Sequence, residues 1–323
     1  MRVLVTGSNG FVGRVLCSHL VGAGVPVRAA VRDVAATVRG DEVVAVGDID
    51  GVTDWSDSLV DITHVVHLAG RAHIVRESAL DPESAFWTVN TDGTRRLAEQ
   101  AAAQGVRRMV FVSSVKACAE RTSGTPLAED STPCPEDPYG RSKLNAERAL
   151  LRVSEETGLE SVSLRSPLVY GPGVRANFLR LMRLVCSGIP LPLASIRNRR
   201  SLLYVENLVS AIEICLHHPA AAGGTFNVSD GEDVSTPDLV RRLAGIMGCK
   251  ARLWPFPAPA LSAVARLLGQ GPAVDRLVES LALDISRIRA MLGWSPPFSL
   301  EQGLAETIRW YMQESGRPVV ARR

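Results

Sequence analysis

The chain has 323 residues, 46% of them hydrophobic, which is enough for a large buried core in one big domain or two unequal ones. Its 36 basic and 34 acidic residues leave a net charge of +2, so no nucleic-acid footprint stands out. The six cysteines form no C-x-x-C pair and no zinc-spaced cluster, no metal site is expected, and no apolar run approaches the ~20 residues of a membrane helix.

The scattered cysteines fit a reducing compartment. The chain begins directly with an apolar strand, without a basic region and long apolar run before it. The expectation is therefore a cytoplasmic protein without membrane insertion.

The first half alternates short apolar runs with amphipathic stretches. The runs are Val3–Val5, Val27–Val31, Val43–Val46, His64–Leu68, Met109–Val112 and Val162–Leu164. They are valine-rich and mostly continuous, as strands are when helices cover both faces of a parallel sheet. Between them the periodicity predicts helices over Phe11–Val21, Glu83–Gln104 and Tyr139–Thr157. This order implies an α/β fold with a doubly wound parallel sheet. From Gly171-Pro172-Gly173 onward the character changes. Helices are predicted over Asn177–Ser187, Glu206–His217, Thr236–Met247, Leu261–Leu268 and Leu300–Gln313, with Thr236 capping before Pro237. Trp254–Pro259 reads as extended. Residues 1–170 are expected to bind a cofactor and 171–323 to form a smaller, mainly helical domain, with a strand or two, for example Ser161–Ser166, returning to the sheet of the first domain.

The strand at the N-terminus runs into Thr6-Gly7-Ser8-Asn9-Gly10-Phe11-Val12-Gly13 and then a helix. Gly7 permits the tight turn, Gly10 lets backbone approach a pyrophosphate, and Gly13 lets helix and strand pack closely. The free N–H groups of the helix start, Phe11 and Val12 among them, suit phosphate oxygens. The second strand ends Val31-Arg32-Asp33. Arg32 suits a ribose 2′-phosphate and points to NADP(H). NAD(H) stays open if Asp33 takes the ribose. Asp48 and Ile49 are placed for the adenine edge. Leu68, Ala69 and Gly70 are placed where backbone must pass close to the dinucleotide.

Tyr139 and Lys143 are four apart on one helix face. A phenol titrates near pH ~10, and a neighbouring ammonium would favour the phenolate, making it a proton carrier for a hydroxyl or carbonyl. Lys143 would also bind the nicotinamide ribose. Phe111-Val112-Ser113-Ser114 ends the fifth strand with two hydroxyls; Ser114 is the one expected to polarise a substrate oxygen, with Ser113 buried against the cofactor.

Together with His67-Leu-Ala-Gly70, Val89-Asn90 and Arg165-x-Pro-x-x-Tyr-Gly-Pro172, these motifs resemble the extended short-chain dehydrogenases/reductases of the NAD-dependent epimerase/dehydratase family. The resemblance spans nearly the whole chain. It implies that Ser114, Tyr139 and Lys143 form the catalytic triad, that Asn90 supports the lysine and that Pro167 lies beside the nicotinamide. It implies that Asn177 and Arg200 grip the diphosphate of a UDP-sugar, with Arg276 a further candidate. Helices 83–104 and 139–157 would make a homodimer. Dehydratases of the group carry Asp-Glu after the hydroxyl residue, where this chain has Val115-Lys116. Galactose epimerases carry Tyr-Gly where this chain has Cys118-Ala119. The pattern is most similar to the UDP-N-acetylquinovosamine 4-dehydrogenase/4-ketoreductase type. The leading expectation is thus an oxidoreductase moving hydride between NAD(P)(H) and C4 of a UDP-linked 6-deoxy N-acetylamino sugar, in surface polysaccharide biosynthesis. Two alternatives remain, a UDP-hexose 4-epimerase with tightly bound NAD and a cofactor-sensing regulatory protein.

Overall fold

The computed structural model describes residues 1–33, 38–72, 81–267, 269 and 271–315. The strands are β1 (Val3–Thr6), β2 (Val27–Val31), β3 (Glu42–Ala45), β4 (His64–His67), β5 (Arg108–Ser114), β6 (Glu160–Ser166), β7 (Leu168–Tyr170), β8 (Arg200–Tyr204), β9 (Thr225–Asn227) and β10 (Asp233–Val234). The helices are α1 (Phe11–Gly22), α2 (Ser56–Leu59), α3 (Pro82–Phe86), α4 (Gly93–Ala103), α5 (Pro138–Thr157), α6 (Ala176–Ser187), α7 (Val205–His217), α8 (Thr236–Ile246), α9 (Ala258–Leu267), α10 (Gly271–Val278), α11 (Ser286–Leu292) and α12 (Leu300–Glu314).

Seven strands form one sheet in the order β3-β2-β1-β4-β5-β6-β9, every pair parallel. The chain winds outward from β1 to β3, then crosses back to β4 and winds the other way. The carboxyl ends of β1 and β4 therefore flank the switch point, where such sheets open a crevice. Successive residues of a strand serve opposite faces. Val3 and Val5 join Leu16, Cys17 and Leu20 of α1 and Ile212 and Cys215 of α7 in one core. Leu4 joins Leu97 and Ala101 of α4 and Ala146 and Leu150 of α5 in the other. That double coverage is why the strands read as unbroken apolar runs.

A second, three-stranded sheet, β10-β8-β7, packs with α6, α8 and α12 around Tyr170, Phe178, Met182, Leu243 and Leu304. The chain switches sheets at Pro167, buried between β6 and β7. The later half also returns to the large sheet, through β9, whose three residues are too few for a readable pattern, and through α7 packed on α1.

Three expectations need correction. Glu83–Gln104 is not one helix: α3 and α4 are joined by a π-helical turn, Trp87–Asp92, whose extra residue turns Asn90 and Thr91 inward. The cap of α8 is Ser235, whose hydroxyl accepts from the Asp238 amide, and Thr236 instead bonds the Leu277 carbonyl at 2.6 Å. Of the extended stretch, Trp254 does pair with Leu191 at 3.0 Å, but Ala258 and Pro259 already belong to α9. Leu268, the expected end of that helix, lies outside the described residues.

Candidate active site

The turn after β1 is built by close backbone contact. Gly7 sits at φ +64°, and a Cβ there would meet the Ala69 nitrogen at 2.8 Å, so the ends of β1 and β4 touch. A Cβ on Gly13 would meet the Gly7 carbonyl at 2.2 Å. The α1 start has no side-chain cap and no acidic residue in its first turn. Its N–H groups and partial positive charge are left for an anion. Phe11 and Val12, partly buried, pack toward the second core, and the Phe11 ring lies 3.6 Å from where a Gly173 Cβ would stand.

His67 links this turn to Asn90. The Thr94 hydroxyl donates to the Asn90 carbonyl at 2.6 Å, so it must accept from His67 Nε2 at 3.0 Å. Nδ1 then accepts from Thr6 Oγ1 at 2.7 Å, and that oxygen accepts from the Ala69 amide at 3.2 Å. The ring is neutral, because burial, aided by the Lys143 charge, pulls its pKa down to about 3. Asn90 in turn accepts from the Arg71 amide at 2.7 Å and donates to Ser142 Oγ at 2.9 Å.

The triad candidates come together at the end of β5. Ser114 hydrogen-bonds the Tyr139 phenol. Burial pushes the phenol up to about 12, the Ser114 bond opposes that rise, and the Asp137 carboxylate adds to it. Lys143 is buried with Nζ 2.9 Å from the Val112 carbonyl and 4.2 Å from the centre of the Phe111 ring. Its ammonium is thus held by the strand rather than by the phenol, and the expected depression of the phenol by this lysine is not seen. Burial pulls the ammonium itself down to about 8, against the Glu147 charge. At Gly70 a Cβ would stand 3.0 Å from Asn90 Oδ1 and 3.8 Å from Lys143 Nζ, so the missing side chain keeps a polar cradle open beside the lysine.

Ser113 is buried, as expected, with its hydroxyl turned to α5. It donates to Glu147 Oε1 at 2.5 Å, and Glu147 is held by Arg165 at 2.8 Å, with both side chains 7% exposed. Sequence reasoning missed Glu147, although its spacing from Tyr139 and Lys143 places it on the same helix face.

The remaining candidates lie further out. Arg32 is exposed and ion-paired with Asp48 at 3.0 Å, and Ile49 packs under Gly93 of α4. Leu68 and Ala69 are partly buried at the β4 end. Asn177 is exposed at the start of α6, just after Ala176 at φ +54°. Arg200 donates to the Glu279 carbonyl at 3.0 Å. Burial lowers its pKa, and Arg276 stands close enough to lower it further. A desolvated guanidinium with an exposed second one near enough to feel its charge suits an anion. Arg199, by contrast, is paired with Asp233 at 2.9 Å, in a groove of about 720 Å³ that holds none of the expected site residues. Among the described residues no cluster suits a metal ion and no helix is long and apolar enough to cross a membrane.

A doubly wound sheet with a glycine turn at its switch point, and a Ser, Tyr and Lys at the neighbouring strand end, defines a dinucleotide-dependent enzyme class. The model of the NAD dependent epimerase/dehydratase family matches residues 3–229, and the chain belongs to that family. It is 42% identical over 98% of its length to a UDP-glucose 4-epimerase of Vibrio cholerae, covering 97% of that protein. It is 30% identical to a dTDP-glucose 4,6-dehydratase of Streptomyces griseus, covering 96% of this chain and 94% of that one. Among solved structures, MoeE5 in complex with UDP-glucuronic acid and NAD superposes with a TM-score of 0.78 at 26% identity, over 97% of this chain and 100% of that one.

Proposed function

We propose that the chain is a UDP-hexose or UDP-N-acetylhexosamine 4-epimerase with resident NAD. The observation that carries this reading is the Ser114–Tyr139 hydrogen bond beside the buried Lys143, at the crevice where the glycine turn opens. The 42% identity to an epimerase favours it over the ketoreductase expected from the motifs. In this reading residues 1–170 hold the dinucleotide and residues 171–323, apart from β9 and α7, hold the sugar nucleotide.

The residues fit NAD. Gly7, Gly10 and Gly13 leave the pyrophosphate an uncapped helix start, and Gly70, Asn90 and Lys143 form a polar cradle for the nicotinamide ribose. Arg32 argued for NADP, but the Asp48 carboxylate at 3.0 Å would repel a 2′-phosphate, so we read NAD. When bound, NAD supplies the carbon that accepts and returns the C4 hydride. Tyr139 takes the C4 hydroxyl proton and later gives it back. Ser114 hydrogen-bonds the C4 oxygen and holds the phenol in line. Pro167 closes the wall at the junction of the two sheets. Arg200, Arg276 and Asn177 grip the diphosphate while the sugar turns over. A homodimer through the 83–104 segment and α5 would cover Trp87 of the π-turn and Leu151, 42% and 47% exposed.

The test is to purify the chain, release and identify its dinucleotide, and incubate it with UDP-glucose and UDP-N-acetylglucosamine without added cofactor. Epimer formation with near-stoichiometric NAD is expected. Absence of bound NAD, with turnover of a 4-keto sugar only on addition of NADPH or NADH, would overturn it in favour of the ketoreductase on a 6-deoxy amino sugar. Tight dinucleotide binding with no turnover of any nucleotide sugar would favour a sensor. Near-normal turnover by Tyr139→Phe would defeat the mechanism.

A further inference from the structure

The turn that follows Ser114 carries a lysine joined to both halves of the catalytic pair. Ser114 ends β5 and caps a single 3₁₀ turn, Val115–Ala117, by accepting from the Lys116 amide at 3.2 Å. The Lys116 ammonium reaches Asp137 Oδ2 at 2.5 Å and Glu120 Oε2 at 3.0 Å. Asp137 is the cap of α5: its other oxygen accepts from the Gly140 amide at 2.7 Å, on either side of Tyr139 in the chain. The two segments are also jammed together, since a Cβ on Gly140 would stand 2.4 Å from the Lys116 carbonyl oxygen. Lys116, Glu120 and Asp137 are only 21%, 23% and 34% exposed, so their charges are less screened than those of a surface pair.

We propose that Lys116 is a positioning residue: its amide and ammonium tie the turn bearing Ser114 to the helix start bearing Tyr139, and its charge balances Asp137 beside the phenol. This rests on the reading of Ser114 and Tyr139 as the acid/base pair. The charged groups around the phenol are Asp137, Arg141 and Lys143 on its own helix, and Lys116 and Glu120 on the turn packed against that helix start. Among the described residues, Glu83 of α3, paired with Arg141 at 2.9 Å, and Arg71, over the Phe86 ring at 5.6 Å, add to the set from the π-turn side. Asp137 is the carboxylate whose charge opposes the phenolate. With Lys116 in place the pair is nearly neutral. Without it, an unbalanced negative charge faces the phenol, and ionising the phenol becomes harder.

The test uses the full chain, NAD-loaded, as wild type, Lys116→Arg, Lys116→Met and Lys116→Met/Asp137→Asn. Two readouts are followed. The first is the pH profile of kcat and KM for UDP-glucose and UDP-N-acetylglucosamine. The second is tyrosinate absorbance against pH, with Tyr139→Phe subtracted to isolate residue 139. For Lys116→Met, kcat near neutral pH should fall about tenfold with KM little changed. Its rising limb and the phenol titration should both move up by roughly one pH unit. Lys116→Arg should restore most of kcat, and the double variant should bring the titration back toward wild type. An unmoved titration in Lys116→Met overturns the proposal whether or not either sugar is turned over. Failure of the wild type on both sugars defeats the epimerase reading and leaves the titration to decide this one.

Discussion

The buried Glu147–Arg165 pair couples the stability of the fold to the state of Lys143. Glu147 accepts from Arg165 Nε at 3.2 Å on both oxygens, from Nη2 at 2.8 Å, and from the Ser113 hydroxyl at 2.5 Å. Glu147→Gln keeps the volume and removes the charge. One acceptor oxygen becomes an NH2 aimed at the guanidinium or the hydroxyl, and Arg165 is left buried without a counter-ion. Breaking one side of such a pair costs about 3–5 kcal/mol, which for a chain of this size lowers the thermal midpoint by on the order of 10 °C. Glu147→Leu with Arg165→Met should lose clearly less than the two single changes added together, because no orphan charge remains. Glu147 also holds the Lys143 ammonium up against burial, which has drawn it down to about 8. Without that charge the lysine deprotonates at lower pH, and activity should fall off earlier on the alkaline side. Thermal melts and urea titrations read the first effect, and a kcat pH profile reads the second. A loss below about 1 kcal/mol would refute the view that this pair is dry and mutually dependent.

Gly13→Ala should abolish dinucleotide binding by calorimetry and lower the melting temperature, because the new Cβ would stand 2.2 Å from a backbone oxygen that cannot yield; near-native affinity would refute the close packing. Burial draws His67 down to about 3 and His64 to about 4, so each is neutral when folded and takes up a proton on unfolding in acid. Each should therefore cost about 1.4 kcal/mol of stability per pH unit as pH falls from about 6.5 toward those values. His67→Asn should flatten that slope in denaturant titrations, and an unchanged slope would mean that the ring is already charged. Leu151→Asp should turn a homodimer into a monomer by sedimentation if α4 and α5 form its interface. An unaltered mass would exclude that face.

The parts of the site legible in the sequence are those in which one segment carries the whole signal. Gly7, Gly10 and Gly13 fall in one turn, and Tyr139 and Lys143 in one helix, so local spacing suffices. The illegible parts join distant segments. Nothing in the order of residues says that Ser113 will bond Glu147, or that Lys116 will reach Asp137 across the turn. The π-turn at Asn90 is hidden for a related reason. Its extra residue follows from where Arg71 and Ser142 offer partners, and the helical period of 83–104 is blind to that. A strand returning to the sheet was expected, but its place at β9 was not legible, because three residues completing a sheet edge have no period to read.

An epimerase must present both faces of C4 to one hydride carrier while its C4 oxygen stays within reach of one proton carrier, so its grip on the sugar ring must be looser than its grip on the nucleotide. The charge distribution meets that demand. In that reading Ser114 and Tyr139 would meet the reacting oxygen through a hydroxyl and a phenol whose ionised form, the one that takes the proton, burial keeps scarce near neutral pH, so no fixed charge would grip the sugar ring. The cationic groups Arg200 and Arg276 lie in the second unit, where Arg200 is already desolvated. Charge-assisted bonds there are worth roughly twice those of neutral partners. Anchoring through the diphosphate therefore leaves the hexose free to rotate between its two hydride-accepting poses. The same anchor would serve a ketoreductase, so the choice between the two turns on whether the glycine turn and the Gly70 cradle release the dinucleotide after one hydride has moved.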